Sequence, residues 1–379
     1  MVVFAQSGFT PAHLPQVKSV LEVVPSPSGK YIAYTLSVMR DSKLSVGTDF
    51  RQLYIVEASG GAITPVLTNE VSVAQVSWLN EDTLTFIAKR KESPVPQVYK
   101  TSKKGSGTVK ITSSEYGVSE YEFSPNREIL YFVAEEPQNK TNTSKPKGYD
   151  AWVFEEEYPH LTLYALNLRT GVVEKLTNNV SVFDFELSPN GETIAAQIAE
   201  KNLVDDSYMF KDIFAISTKN KSVTLWADVP GKVGDMEWSG DSKSLAFISA
   251  ATVNDAHAGS IMIIESGKTY TPKNLVNRTP GFKGSATHLE WSGKELLFSA
   301  DEGVYTSVRS LDIANKTSEV VLQGGEVVIS SGIYLVNNSL FFSGETKLHP
   351  REVYSYVLPK KLIKRLTDNN QWLIDVQLA

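Results

Sequence analysis

Cysteine is absent from this 379-residue sequence, which removes disulfides, thiolate nucleophiles and cysteine-ligated zinc together. Histidine is scarce: His13, His160, His257, His288 and His349 lie far apart, and none falls in a His-Glu-x-x-His or other metal-ligand spacing. No metal and no cofactor is therefore expected. An apolar run of about twenty residues, the length that crosses a bilayer, is missing, so no membrane span is expected. Positive charge is in deficit, with 37 Lys and Arg against 43 Asp and Glu and a net charge of −6; nucleic-acid binding normally needs a basic stripe, and none is expected here. Nucleophile elbows are missing too, since Gly117-Val118-Ser119-Glu120-Tyr121 lacks the second glycine. Gly105-Ser106-Gly107 reads as a hairpin turn and not as a phosphate cradle. No catalytic residue is assigned, and the chain alone is expected to be inactive.

What the sequence does contain is a repeat. Ser188-Pro189-Asn190-Gly191-Glu192-Thr193-Ile194-Ala195-Ala196 reads as two antiparallel strands joined by a tight turn, because Pro presets its backbone angle and Gly or Asn tolerates positive φ. Variants begin at Ser26, Trp78, Ser124, Ser239, Ser292 and, most degraded, near Asn337, with steps of 52, 46, 64, 51, 53 and 45 residues. Between the copies runs a second phrase, such as Leu53-Tyr54-Ile55-Val56, Gly60-Gly61, then Val66-Leu67-Thr68. Each repeat is thus strand A, turn, strand B, loop, strand C, turn, strand D, and periods of about 40–50 residues with four short strands are propeller blades.

The fold class expected is all-β: a seven-bladed β-propeller of four-stranded antiparallel blades, its ring closed by packing without strand exchange. Residues 1–19 form an N-terminal segment with a short helix opened by Thr10-Pro11, residues 20–367 the propeller, and residues 368–379 a tail. Four strands per blade return the chain to its starting face, so both ends of the ring and all the B–C loops are expected on one side. The longest B–C loop, about Glu135 to His160, accounts for the step of 64. Its second half ends in Glu155-Glu156-Glu157, the candidate substrate-binding residues: clustered carboxylates can hold an ammonium, which donates three hydrogen bonds. A solvated acidic edge is the alternative reading. His349-Pro350-Arg351-Glu352, in the blade 7 loop, could also reach the ring mouth, although Arg351 reads first as an ion-pair partner of a neighbour. Met1 to Gln6 look like the end of a signal sequence or like a few ordinary terminal residues; the former implies a periplasmic or secreted protein, the latter a cytoplasmic one.

These repeats, together with the opening Phe9-Thr10-Pro11-Ala12-His13-Leu14 and the ending His349-Pro350-Arg351-Glu352-Val353-Tyr354 through Arg365-Leu366-Thr367-Asp368-Asn369-Asn370, resemble the propeller half of prolyl oligopeptidase family serine peptidases. The acylaminoacyl-peptidase and dipeptidyl-peptidase IV branches are the most similar. The resemblance covers essentially the whole chain. It implies a following α/β-hydrolase domain with a Ser-Asp-His triad, which is absent from this chain and would be its partner within the same polypeptide. It also implies a short peptide as substrate, admitted and oriented by the propeller. Trp152-Val153-Phe154-Glu155-Glu156-Glu157 is similar to the Trp-x-Tyr-Glu-Glu motif that holds a substrate's amino terminus in the dipeptidyl peptidases, with Phe154 in place of Tyr. That match points to Glu156 and Glu157, or to Glu155 and Glu156 in a shifted register. A free-standing TolB-like propeller that binds a protein partner is the competing reading. Without a covering domain, an apolar patch and some self-association are expected on the B–C face.

Overall fold

The computed structural model describes residues 7–41, 43, 46–136, 155, 158–254 and 259–378. The chain is a seven-bladed β-propeller whose sheets are built from consecutive antiparallel strands, with no strand borrowed from elsewhere in the sequence. Blade 1 has strands Lys18–Pro25, Tyr31–Val38, Phe50–Glu57 and Thr64–Leu67. Blade 3 has Val118–Phe123, Ile129–Glu136, His160–Asn167 and Val173–Lys175, and blade 4 has Ser181–Leu187, Thr193–Ala199, Asp212–Ser217 and Val223–Ala227. Strand A is the edge strand in each, and strand B, apolar on both faces, is the most deeply buried.

The Ser of the repeated phrase explains itself in this geometry. Ser188 Oγ donates to Asn190 Oδ1 (2.7 Å) and accepts from the Thr193 amide (3.0 Å), while Gly191 N–H closes the turn on Ser188 O at 2.7 Å. A buried hydroxyl thus replaces the ladder partner that the reversal removes. Gly191 sits at φ 74°, where a side chain would be strained. Ser124 with Asn126 and Ser239 with Asp241 repeat the arrangement.

Contacts gather the chain into two compact units, residues 1–111, 297–310 and 319–379 in one and 112–296 with 311–318 in the other. In the first, blades 1 and 2 share a core of Leu53, Ile55 and Val66 against Trp78, Phe86 and Tyr99, and blade 1 meets blade 7 through Val20, Tyr34 and Leu36 against Phe341, Val353 and Leu366. Each fully buried side chain of this size contributes about 1.5–3 kcal/mol. Closure between blades 7 and 1 also has a polar clasp. Asn370 Nδ2 donates to Lys18 O (2.8 Å) while Lys18 N–H donates to Asn370 Oδ1 (2.9 Å). Behind it, Glu352, fully buried, accepts from Thr367 Oγ1 at 2.6 Å, Asn369 N at 2.7 Å and Asn369 Nδ2 at 2.7 Å. Strand A of blade 7 is broken into Val328–Ile329 and Tyr334–Val336, as its degraded repeat foreshadows.

In the second unit, blades 3 and 4 pack through Tyr131, Val133 and Leu163 against Phe185 and Ile194, and blades 4 and 5 through Trp226 against Trp238, Phe247 and Met262. Blade 5 departs from the repeat. Its described residues form the three strands Val233–Trp238, Ser244–Ser249 and Ser260–Glu265. Leu275-Val276, where the phrase predicts strand D, lies beyond a turn closed by Asn274 N–H on Thr271 O (3.0 Å), and only a bridge from Met262 to Asn277 remains of the ladder. Pro272 has no N–H to offer a neighbouring strand.

Candidate functional site

The face bearing the B–C loops is the first place to look, and in the first unit it carries a cleft. The blade 7 loop Lys347-Leu348-His349, Arg365 at the end of strand D, Asp368 beyond it, and the tail to Leu378 enclose an open space of about 860 Å³. The N-terminal segment runs into the same region: Ser7–Gly8 pairs in parallel with Val376–Gln377, and His13 stacks on Trp372 at 5.5 Å. Leu348 and Ile374 are 63% and 79% exposed there. Trp372 Nε1 is buried and has no acceptor among the described residues. The His349 ring is fixed from both sides, with Nδ1 2.7 Å from Pro350 O and Nε2 2.9 Å from Tyr354 OH. Since a carbonyl only accepts, Nδ1 carries the donated proton and Nε2 is left to accept from the phenol. Arg351 pairs with Glu345 (3.8 Å) and not with Glu352, whose carboxyl is committed to the clasp.

In the second unit, Glu155 is exposed, in a turn at φ 63°; Glu156 and Glu157 lie outside the described residues. The downstream end of that loop is well defined. Tyr158 packs edge-on against His160 (5.5 Å), His160 Nδ1 is 3.1 Å from Ser181 Oγ, and Asn202 Nδ2 donates to Pro159 O at 3.0 Å. These contacts pin the loop's end beside the B–C segment of blade 4, where the short helix Val204–Met209 leaves Val204, Tyr208 and Phe210 exposed. A smaller cleft of about 520 Å³, lined by Ile198, Lys201, Asp206 and Phe210 among others, opens alongside. The Ser181–His160 contact is no nucleophile pair, because Ser181 is fully buried and out of a substrate's reach. Among the described residues no group of His, Asp and Glu could hold a metal ion.

A third feature lies on the strand A edges of the second unit. Glu120 and Glu122 in blade 3, Asp184 and Glu186 in blade 4, Asp235 and Glu237 in blade 5 and Glu290 in blade 6 alternate with buried apolar residues. Strand A is the strand that borders a propeller's central channel, and these side chains keep some water access while deeply surrounded by protein. They tie each blade to the next: Leu187 N–H donates to Glu122 Oε2 (2.7 Å) and Leu289 N–H to Asp235 Oδ2 (2.8 Å). In the same direction, from the later blade to the earlier, Trp238 Nε1 donates to Glu186 O (3.1 Å) and Trp291 Nε1 to Glu237 O (3.0 Å). The first unit repeats the pattern once, with Gln75 N–H on Glu22 Oε1 (2.8 Å) and Trp78 Nε1 on Val24 O (3.0 Å). Burial pushes Glu122 and Asp235 up to about 7, against the backbone N–H bonds that favour the charged form. Glu120, Glu186 and Glu237 rise well above the carboxylate range, first through burial and then through the acids around them. These acids are invisible residue by residue, although the phrase acid-x-acid-x-Ser recurs at 120–124, 184–188 and 235–239.

No family model matches the sequence, and no curated protein does. Solved structures do match. An acylaminoacyl peptidase from Pyrococcus horikoshii superposes with a TM-score of 0.67 at 11% identity, over 95% of this chain and 54% of its own. A puromycin-hydrolyzing peptidase from Mycobacterium tuberculosis gives 0.68 at 12% identity, over 96% and 56%. The β-propeller domain of the Trilobed protease from Pyrococcus furiosus, described as having an open velcro topology, gives 0.64 at 12% identity over 94% and 99%. The chain spans about half the length of the two whole peptidases and nearly all of the isolated propeller domain. It therefore has the seven-bladed propeller fold that acylaminoacyl peptidases and related peptidases carry as one of their domains.

Proposed function

We propose that this chain is the propeller part of a prolyl oligopeptidase family serine peptidase, which admits short peptides, excludes folded proteins and helps orient a peptide's end for an α/β-hydrolase domain of the same polypeptide. The observation that carries this reading is the blade 7 cleft. There the N-terminal strand, the tail and a B–C loop meet, exposing Leu348 and Ile374 and burying an indole N–H that has no acceptor among the described residues. Large apolar side chains and an unmet donor at one place are what a docked domain would cover. The exposed Val204, Tyr208 and Phe210 extend the same argument to the blade 4 loop. Glu155, Glu156 and Glu157 are the proposed anchors for a substrate ammonium.

The test is a panel of chromogenic aminoacyl, acylaminoacyl and dipeptidyl substrates, offered to the 379-residue chain and to the product of its uninterrupted reading frame. Cleavage by the longer product alone is the expected result. Replacing Glu156 and Glu157 by Gln in that product should raise KM for substrates with a free amino terminus and leave acylated ones unaffected. A reading frame with no hydrolase, or cleavage by the 379-residue chain itself, would overturn the proposal.

A further inference from the structure

Strand D of blades 2, 3 and 7 closes on one phrase: Lys110-Ile111-Thr112, Lys175-Leu176-Thr177 and Arg365-Leu366-Thr367. Its first residue sits opposite a strand C tyrosine, Tyr99, Tyr164 or Tyr354. The middle residue donates its N–H to the carbonyl one place earlier on strand C: Ile111 to Val98 (2.8 Å), Leu176 to Leu163 (2.8 Å) and Leu366 to Val353 (2.7 Å). In blades 3 and 7 the threonine hydroxyl then accepts the N–H of that same strand C residue, at 3.0 and 2.9 Å. Side chains alternate along a strand, so the middle residue faces the core and the basic residue before it faces away. Leu176 and Leu366 are accordingly buried, in the cores that hold Phe185 of blade 4 and Tyr34 of blade 1.

Blade 5 keeps this backbone pattern and changes the side chain. Asn277 bridges to Met262, Arg278 N–H donates to Ile261 O (2.7 Å) and Ile261 N–H donates to Thr279 Oγ1 (3.1 Å). An arginine thus stands where its sister blades place a core leucine. The backbone around it is closely fitted: Asn277 Nδ2 donates to Ser260 Oγ (3.1 Å), Ala286 N–H to Gly259 O (3.1 Å), and a Cβ on Gly259 would come within 2.9 Å of Ser285 Cα. Arg278 itself is half-buried, and its Nε is buried with no acceptor among the described residues. No ion pair reaches its guanidinium among those residues either. A leucine would meet no such deficit, whereas a buried N–H left unmet lowers stability. Stability given up at one register position, where the sister blades keep it, is a mark of a binding role.

We propose that Arg278 binds the carboxylate of a short peptide at the B–C end of blade 5. The guanidinium is a planar fork whose N–H groups match the two oxygens of a carboxylate. Its single charge balances that of one carboxylate, while a phosphate dianion would bring a second charge that Arg278 leaves unpaired. Strand D ends on the side of the B–C loops, where the peptidase reading brings its substrate. Naming the carboxylate as a peptide's rests on that reading; the capture of a carboxylate does not.

Binding is measured on the 379-residue chain without any cleavage, so failure of the peptidase reading leaves the result intact. The chain labelled with nitrogen-15 arginine is titrated with acetyl-trialanine and with its amide. The free acid should shift the Arg278 Nε–H resonance saturably, with an affinity about tenfold or more above that of the amide. Arg278→Leu identifies the resonance by its loss and, in calorimetry, should weaken binding of the free acid about tenfold or more. The same variant restores the leucine of blades 3 and 7 and should melt about 2 °C or more above the parent. Equal binding of acid and amide, no binding of either, or preference for inorganic phosphate would overturn the proposal, as would an Arg278→Leu chain that melts below the parent. A resonance that moves in Asp255→Asn before peptide is added would overturn it too, because the acceptor would then belong to the chain itself. Should Arg278→Leu fail to fold, the titration of the parent with acid and amide decides.

Discussion

Two buried acids, one in each compact unit, are handled in opposite ways. Glu352 in blade 7 meets hydroxyl, amide and backbone donors from Thr367 and Asn369, and these fasten the end of the propeller to strand A of blade 1. Glu186 in blade 4 has the acids Glu237, Glu122, Asp235 and Asp184 around it, and its Oε2 is buried with no partner among the described residues. The first carboxyl is met by donors; the second is pushed up by burial and by the acids around it, so the stability it contributes is lost as pH rises. Donors within reach satisfy a buried acid, whereas acids within reach raise its pKa.

The largest effect should come from removing the supplied acid. Glu352→Ala strands the donors of Thr367 and Asn369 and should cost about 3–5 kcal/mol in urea unfolding. A cost under about 1 kcal/mol would break the comparison, because the clasp would then be ornamental. Next comes the contrast in pH response. Amide exchange, corrected for its intrinsic base catalysis, should quicken between pH 6 and pH 8 in strands 118–123, 181–187 and 233–238, where Glu122 and Asp235 are raised to about 7, more than at Lys18 and Asn369. Uniform behaviour would contradict it. Smaller still, Trp78→Phe and Trp238→Phe each remove an indole N–H from a carbonyl of the preceding blade, Val24 O and Glu186 O. Each should cost about 1–2 kcal/mol at pH 6. The least effect is expected from Glu22→Gln, since the amide oxygen still accepts the 2.8 Å bond from Gln75 and only the 3.5 Å contact from Val76 to the other oxygen is given up. Burial raises the Glu22 carboxyl, so the change should lie within about 1 kcal/mol and turn favourable as pH rises.

The propeller was legible because its repeat is local chemistry. A Ser whose hydroxyl caps its own hairpin, a turn residue at positive φ and alternating apolar strands leave the same trace wherever they occur, as at Ser124, Ser188 and Ser239. Strand D of blade 5 was misjudged because Leu275-Val276 has the right residue types but stands behind Pro272 and an Asn-closed turn. The polar clasp was hidden by distance, Lys18 and Asn370 being 352 residues apart. The acids of blades 3 to 5 were hidden differently. An acid alternating with Phe, Leu or Trp reads as a solvated strand face, and only the neighbouring blade turns that face into an interior. Of the proposed site at Glu155 to Glu157, only the residue types are legible, and the structure describes the exposed Glu155 and the loop end at Tyr158 and His160.

The central claim, that this propeller controls what reaches a peptidase, is tested most directly by presenting the full reading-frame product with one cleavable sequence in two forms, as a short free peptide and as a loop within a stably folded protein. The account predicts rapid cleavage of the peptide and an intact folded protein. Cleavage of both at similar rates, or of neither, would contradict it.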